Sequence, residues 1–316
     1  MVVGSGQAVW RATEVAWDTD VSELLTLVEV APNRFRTHAV QTNYQVAIFG
    51  GQLLGQALSA ACGTVDGARV HSVHAYFLDA GDSTAPIDYV VEELRSSAVS
   101  ALRLVTAVQG ERRLFTMQCF FRADQPGFDH QIRPLPAPDP EQLEDLVSIA
   151  RSDPDALGHF GQFLLNGTVI EVRPFSRQDL RQENGCTRRL FWIRLPGMEN
   201  VGDDALHAAM LAYLSDYWFS RVTLVSHCDP VPDLNMKFAS IDHCMWFHRP
   251  VRLGDWMLYD TESPSASDGT GFARGTIFDR TGRVIASTAQ EVLQMPRRTT
   301  IGPIARQGDG VFRRSA

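Results

Sequence analysis

The sequence contains the same order of predicted elements twice, and this duplication constrains the fold more than any other feature. In the first copy, FGGQLLGQALSAAC (49–62) carries apolar residues at helical spacing, and predicted antiparallel strands follow between residues 69 and 122. In the second copy, DALHAAMLAYLSDYWFS (204–220) is predicted to be a helix. The strands after it are predicted at 236–249, 255–262, 270–279 and 283–293. A helix followed by antiparallel strands predicts an α+β unit and not a βαβ repeat.

The two copies also resemble each other in local sequence. HAYFLDAGD (74–82) is similar to HCMWFHRPVRLGD (243–255), and QGERRLFTMQ (109–118) is similar to TGRVIASTAQ (281–290). These similarities predict a duplicated helix-on-sheet unit of about 130 residues. Gly51, Gly55 and Ser59 form a stripe of small residues on the first helix, which predicts a very close approach to a flat surface.

The predicted domain boundaries follow changes in composition. Residues 1–125 are predicted to form an N-terminal unit with an acidic leader, in which DVSELLTLVEV (20–30) has the spacing of an amphipathic helix. Proline concentrates between residues 125 and 142, so 126–165 is predicted to be a linker followed by a helix. Residues 166–296 form the C-terminal unit. The basic tail, 297–316, has no periodicity, which predicts disorder.

Composition and charge exclude several classes of function. The 316 residues carry a formal net charge of -8, so nucleic acid is not an expected partner, because phosphate binding requires a basic surface. The five cysteines are an odd number without a C-x-x-C pair, which argues against a disulfide framework and against a metal site. Neither a signal peptide nor an apolar run of about 18 residues is recognisable. A soluble cytoplasmic protein without a membrane span is therefore expected.

Asp216 is the most informative candidate for chemistry, because it lies in the most apolar predicted helix. A buried carboxylate is costly unless it is hydrogen-bonded or functional, and burial raises its pKa toward that of a useful general base. A carboxylate that caps a neighbouring group or reaches solvent is the alternative, and the residues leave the two open. In SIDHCMWFHRP (240–250), strand alternation places Ser240 and Asp242 on one face and His243 on the other. Asp242 and His243 are therefore not expected to act together as an acid–base pair.

Several motifs occur in a characteristic order: FGGQLLGQAL, VHSVHAYFLDAGD, ASIDHCMWFHRP, ESPSAS and ASTAQE, with GFDHQ in the linker. Together they make residues 30–295 resemble the bacterial acyl-CoA thioesterase II (TesB-like) family. The resemblance implies a double hotdog fold, in which two tandem units each wrap an antiparallel sheet around a long helix. It also implies hydrolysis of fatty acyl-CoA to free acid and CoA, without a cofactor or metal, by a homo-oligomer.

The family holds its attacking water with an Asp, a Thr or Ser, and a Gln. Matching the motifs residue by residue implies that Asp216, Ser240 and Gln290 have these roles, with Asp216 as the base and His243 only structural. Ser240 stands where the family commonly has threonine. The backbone N–H groups of Gly50 and Gly51, at a glycine-rich helix start, are expected to bind the oxyanion of the thioester.

Two other functions stay open from the sequence. The first is a non-catalytic acyl-CoA sensor or carrier, which is kept open by Ser240 and by RSSAVS (95–100), where the family has a turn resembling R-D-G-x-S-F. The second is a hotdog-fold enoyl-CoA hydratase. That chemistry requires an Asp/His pair aimed at one substrate, and no compact D-x-x-x-x-H arrangement is found in the sequence.

Overall fold

The computed structural model describes residues 2–3, 21–42, 47–177, 180, 187–227 and 236–296. The helices in this part of the chain are α1 (Val21–Leu24), α2 (Gly50–Cys62), α3 (Leu146–Ser152), α4 (Gly158–Leu165) and α5 (Asp204–Ser215). The strands of the first half are β1 (Val2–Val3), β2 (Leu27–Ala31), β3 (Arg34–Thr37), β4 (Arg69–Phe77), β5 (Asp88–Ser96), β6 (Ser100–Gln109) and β7 (Arg112–Arg122). Those of the second half are β8 (Glu171–Pro174), β9 (Arg188–Arg194), β10 (Met236–Ser240), β11 (Asp242–Phe247), β12 (Met257–Ser267), β13 (Thr270–Asp279) and β14 (Val284–Pro296).

All of these strands belong to one sheet, whose order is β1-β2-β3-β5-β6-β7-β4-β11-β14-β13-β12-β9-β8, with β10 also paired to β14. Neighbouring strands are antiparallel apart from the parallel pair β1–β2. The halves join where β4 pairs with β11, with His74 opposite Cys244. Each half therefore supplies one long helix and an antiparallel half-sheet, and the expected α+β double hotdog fold is confirmed.

The predicted domain boundaries fall between elements of the structure. The first boundary, at residue 125, follows the end of β7, and the second, at 165, coincides with the last residue of α4. The segment between them contains a short 3₁₀ turn, α3 and α4, and otherwise has little regular structure. The division into these units stays a prediction. The predicted disordered tail, 297–316, lies outside the described residues.

Two predicted helices are shorter in the structure. The helix expected over 20–30 is wrong in its second half, because only α1 is helical and residues 27–31 form β2, which pairs with β3. The helix expected over 204–220 ends at Ser215, and Trp218 then adopts a left-handed backbone with φ +65°. A non-glycine residue pays for that conformation, so it cannot continue a right-handed helix.

The stripe of small residues on α2 faces the other long helix and not a flat sheet. A Cβ atom added to Gly51 would lie 2.5 Å from the backbone oxygen of Tyr213, and one added to Gly55 would lie 3.0 Å from that of Ala209. These contacts mean that α2 and α5 run antiparallel at very short distance. The N-terminus of α2 consequently lies beside the C-terminus of α5, and this junction positions the candidate site.

Candidate active site

Asp216 is the C-cap residue immediately after α5, and its side chain is buried, with 6% of the residue exposed. Burial raises the pKa of Asp216 from an ordinary value of 3.8 to about 7, although hydrogen bonding from the Gln290 side chain and the Gly51 N–H opposes part of the rise. The cause is the loss of water around the charged form, which favours the neutral acid. The sequence left open whether the Asp216 carboxylate is buried or instead caps a neighbouring group or reaches solvent, and in the structure it is buried.

Gln290 and Ser240 lie together at the edge of the same site. Gln290 is fully buried on β14, and its Nε2 donates a hydrogen bond of 2.6 Å to the hydroxyl oxygen of Ser240, the last residue of β10. The hydrogen bonding between Gln290 and Asp216 places the amide between the carboxylate and the hydroxyl. The structure therefore brings together the three residues, Asp216, Ser240 and Gln290, that the sequence singled out.

The strand alternation predicted for residues 240–250 is wrong at one position. Ser240 pairs with Val292, and Cys244 pairs with Ala289. The chain of β10 and β11 therefore advances four residues between these pairs, whereas β14 advances three, so one residue of the β10–β11 segment is extra. Such a β-bulge shifts the alternation by one residue and re-aims the side chains beyond it. Ser240 and His243 consequently converge, and His243 Nδ1 lies 2.6 Å from Gln290 Oε1.

Asp242 has a separate role from His243. Its carboxylate accepts a hydrogen bond of 2.7 Å from the backbone N–H of Glu291, which fastens β11 to β14 next to the bulge. The expectation that Asp242 and His243 do not act as a pair agrees with this contact. The expectation that His243 lies on the opposite face from Ser240 does not. The bulge adds no recognisable residue type to the sequence, which explains why the pattern did not indicate it.

Gly50 and Gly51 open α2 directly against Asp216. A Cβ atom added to Gly50 would lie 2.8 Å from Asp216 Oδ2, so the absence of a side chain lets the helix start approach the carboxylate. The Gly51 N–H is directed at the same carboxylate. The positive end of the helix dipole therefore faces the region where charge would develop. Binding of an oxyanion by these two N–H groups stays a prediction.

Asp216, Ser240 and Gly50 all line one cavity of about 480 Å³. Most of its remaining wall is apolar, and the large side chains in it include Phe49, Leu53, Phe77, Phe160, Trp218, Phe238 and Leu293. Lys237 and Arg221 also line it. A hydrophobic cavity with a few convergent polar groups at one point is the usual form of a small-molecule site. Its walls suit an apolar chain whose polar end reaches Asp216.

A second cavity, of about 590 Å³, lies at the opposite ends of the two long helices. Its walls include Cys62 at the end of α2 and Asp203 and Asp204 at the start of α5, but none of the three candidate catalytic residues. Because it combines the C-terminus of α2 with the N-terminus of α5, it occupies the position related to the first cavity by the duplication. The candidate catalytic residues Asp216 and Ser240 line the first cavity and not this one, so chemistry distinguishes the two.

Two further features concern binding and location. Among the described residues, no group of three or more His, Cys, Asp or Glu side chains has an arrangement that could hold a metal ion. Within the same part of the chain, no helix combines the length and the apolar character needed to cross a bilayer.

The buried Asp216 carboxylate makes the stability of the fold depend on pH. Its folded pKa of about 7 exceeds its ordinary value of 3.8, so the contribution of Asp216 is most favourable below pH 4 and is lost as the pH rises through 7. We expect Asp216→Asn to be increasingly stabilising relative to wild type between pH 4 and pH 8, by up to about 4 kcal/mol. Urea unfolding at several pH values measures this difference.

Asp88→Asn is a control of opposite sign. Burial would raise the pKa of Asp88, but ion pairs with Arg36 and Arg34 outweigh it and hold the pKa below its ordinary value. The stabilisation from Asp88 is therefore lost as the pH falls, so this variant should be most destabilised near neutral pH. If Asp216→Asn shifts stability equally at all pH values, the carboxylate is not buried as the structure has it.

Comparison with known proteins places the chain in a family. Residues 37–122 match the family model described as the acyl-CoA thioesterase N-terminal domain, and residues 133–294 match the one described as the acyl-CoA thioesterase C-terminal domain. Acyl-coenzyme A thioesterase 8 of Mus musculus is 34% identical over 281 residues, which cover 86% of this chain and 87% of that protein. Acyl-CoA thioesterase 2 of Haemophilus influenzae is 34% identical over 281 residues, covering 85% of this chain and 95% of that protein.

A solved structure agrees with these relatives. The acyl-CoA thioesterase II TesB2 from Mycobacterium marinum superimposes with a TM-score of 0.72 at 32% identity, covering 88% of this chain and 98% of that one. Both halves of the chain are thus acyl-CoA thioesterase domains in a double hotdog. The chain belongs to the TesB-like acyl-CoA thioesterase II family.

Proposed function

We propose that this protein hydrolyses acyl-CoA thioesters to a free carboxylic acid and CoA, with a water molecule that Asp216 activates. The observation that carries the proposal is a buried carboxylate with a pKa of about 7 that opens onto an apolar cavity beside Ser240 and Gln290. A general base works best when its pKa is near the working pH, because it is then both ionised and basic enough. The relatives named above are thioesterases and do not favour a carrier or a hydratase.

The roles of the side chains follow from their chemistry. Asp216 takes a proton from water as the water oxygen attacks the carbonyl carbon of the thioester. Ser240 and Gln290 hold that water by hydrogen bonds and do not compete for its proton. The carbonyl oxygen gains negative charge, which the N–H groups of Gly50 and Gly51 stabilise. When the carbonyl re-forms, the C–S bond breaks, and the proton held by Asp216 is returned to the thiolate of CoA.

Hydrolysis in H₂¹⁸O tests both the activity and the absence of an acyl-enzyme. With enzyme in excess over acyl-CoA, we expect release of one CoA per substrate and one ¹⁸O in the acid from the first turnover. Direct attack by water requires this result, whereas an acyl-enzyme on Asp216 that water opens at the aspartyl carbonyl would leave ¹⁶O from the carboxylate in the first acid formed and put ¹⁸O into Asp216. Acyl-CoA that binds without any release of CoA, at any acyl length, would overturn the proposed function.

We further propose a cytoplasmic role in lipid metabolism, as a homo-oligomer that does not bind nucleic acid. The net charge of -8 opposes binding to phosphate backbones. Burial raises the pKa of the Cys62 thiol to about 12, which suits an unreactive free cysteine in a reducing compartment.

Tyr76 and Leu78 are more than half exposed at the end of β4, where a second copy could cover them. A solution mass of 35.1 kDa by light scattering would contradict the oligomer.

A further inference from the structure

His243 contacts the catalytic machinery from behind. It is fully buried on β11, with Nδ1 at 2.6 Å from Gln290 Oε1 and Nε2 at 3.0 Å from the hydroxyl oxygen of Ser215. Ser215 is the residue immediately before Asp216. We propose that His243 is a positioning residue, which holds the Gln290 amide so that its NH₂ group, and not its oxygen, faces Ser240 and Asp216. This inference rests on the proposed function, because it concerns how the same site holds water.

The direction of the hydrogen bonds follows from the donors and acceptors available. An amide oxygen can only accept, so Gln290 Oε1 requires the proton on His243 Nδ1. Burial lowers the pKa of His243 to about 4, despite the bond to Gln290, so the ring is neutral at pH 7 and Nε2 is an acceptor. The Ser215 hydroxyl oxygen lies 3.0 Å from Nε2, but its single proton is directed at the backbone oxygen of Ala212, 2.7 Å away, so Ser215 does not select the tautomer of the ring. The contact with Gln290 Oε1 therefore carries the assignment of the proton to Nδ1.

The two ends of a glutamine amide have almost the same shape, so packing does not select between them. Rotating the Gln290 amide by 180° would point its oxygen at the Asp216 carboxylate and its NH₂ group at the N–H of His243. Both contacts would then be repulsive while Asp216 is ionised. Ser240 cannot prevent the rotation, because a hydroxyl can either donate or accept.

Asp216 itself loses its preference for the NH₂ end of the Gln290 amide during the reaction. Once it has taken the proton from water, its O–H can donate to an amide oxygen as readily as its other oxygen can accept from NH₂. His243 keeps its preference for the oxygen of the Gln290 amide through this step, because its proton is not exchanged with the substrate. It is therefore the group that holds the amide in one orientation throughout turnover.

The surroundings of His243 fix the ring. The Phe219 ring packs against it edge to face, with centroids 5.9 Å apart. The Tyr259 hydroxyl donates to the backbone oxygen of Ser215 at 2.9 Å, which anchors the residue whose side chain meets Nε2. A ring held on both sides can transmit a fixed hydrogen-bond direction to Gln290.

The tautomer of His243 can be measured directly in the wild-type protein. Two-bond ¹H–¹⁵N correlation spectra of the histidine rings distinguish a proton on Nδ1 from one on Nε2, and the signal absent from His243→Asn assigns the resonance. We expect the Nδ1–H tautomer at pH 7. The Nε2–H tautomer would overturn the inference whether or not the protein is active.

Kinetics test the consequence. We expect His243→Phe to lower kcat about 10- to 100-fold with little change in KM, because misplacing a group that holds the nucleophile costs that much. The acid limb of the pH–rate profile should also move to higher pH, because the carboxylate loses an amide donor. His243→Asn, whose amide NH₂ can occupy the Nδ1 position, should recover part of the rate. His248→Phe is the matched control, since His248 contacts Ser287 and no site residue.

Two further variants keep the test decisive. Ser215→Ala removes the hydroxyl that contacts Nε2 and leaves the His243 ring in place, so we expect the same shift of the acid limb in a smaller degree even if His243→Phe does not fold. In a Gln290→Ala background, His243→Phe should cost little more, because a residue that acts through Gln290 has nothing left to position. Additive losses, or variants with an unmoved acid limb in an active enzyme, would overturn the positioning role alone. A wild type that releases no CoA would overturn the proposed function first.

Discussion

Asp216→Asn is expected to lower kcat by about 10²–10⁴-fold, the usual contribution of a positioned base. Asparagine has the same shape as aspartate and can still hydrogen-bond to Gln290, but its amide cannot take a proton from water. The substitution therefore removes the base and leaves the walls of the cavity in place. Release of free CoA, followed with a thiol reagent, measures the loss. An enzyme-only blank corrects for labelling of Cys62, Cys119 and Cys244, which are free cysteines.

The wild-type pH profile provides an independent reading of the same carboxylate. Since Asp216 must be ionised to act, kcat/KM should fall tenfold per pH unit below about pH 7. Asp79→Asn is the matched control, because Asp79 also lines the cavity but is exposed, and hydrogen bonds to Arg112 lower its pKa. An Asp216→Asn variant that keeps the wild-type rate would show that the residue roles are wrong even though the family assignment holds.

The strands of the fold could be predicted well because they are long and alternate regularly. The strand predicted at 270–279 coincides with β13, and that at 283–293 begins one residue before β14 and ends three residues before β14 does. The prediction was wrong at 20–30, where one turn of helix and a short strand follow each other. Over so few residues, apolar positions fit both periods, and the pairing of β2 with β3 decides between them.

The candidate site was predictable to the extent that residue type alone indicates function. Asp216 is a charged residue in an apolar helix, and burial makes that combination chemically consequential. Its exact place was not predictable, because the helix ends at Ser215 and Trp218 turns into a left-handed conformation. Trp218 is an unusual residue for such a turn, so no glycine or proline marks the helix end.

His243 was missed for a different reason. Its role depends on a one-residue bulge between Ser240 and Cys244, which reverses the alternation on which the sequence argument rested. A bulge of this kind requires no particular residue type, so the sequence contains no pattern that predicts it. A hint was nevertheless present: a buried glutamine on β14 must find partners for both ends of its amide.

The small residues of α2 set the distance between the two long helices. Substituting one of them is therefore expected to have a large effect on stability. In an exposed helix, replacing glycine with alanine stabilises by about 1 kcal/mol. At Gly51 the sign should be reversed, since the added Cβ would lie 2.5 Å from the backbone oxygen of Tyr213, which cannot rotate away. We expect Gly51→Ala to lower the free energy of unfolding by about 1–3 kcal/mol, the usual cost of overpacking. Urea unfolding measures this loss.

The same substitution should reduce activity, because α5 carries Asp216 and α2 carries the N–H groups that face it. Pushing the helices apart by even about 1 Å can lower kcat by about 10²-fold. Gly202→Ala is the matched control: no neighbouring atom lies within 4 Å of its added Cβ, so stability and kcat should stay close to wild type. If Gly51→Ala is as stable and as active as the wild type, the two helices do not approach as closely as the structure has them, and the contact between Gly51 and Asp216 cannot define the site.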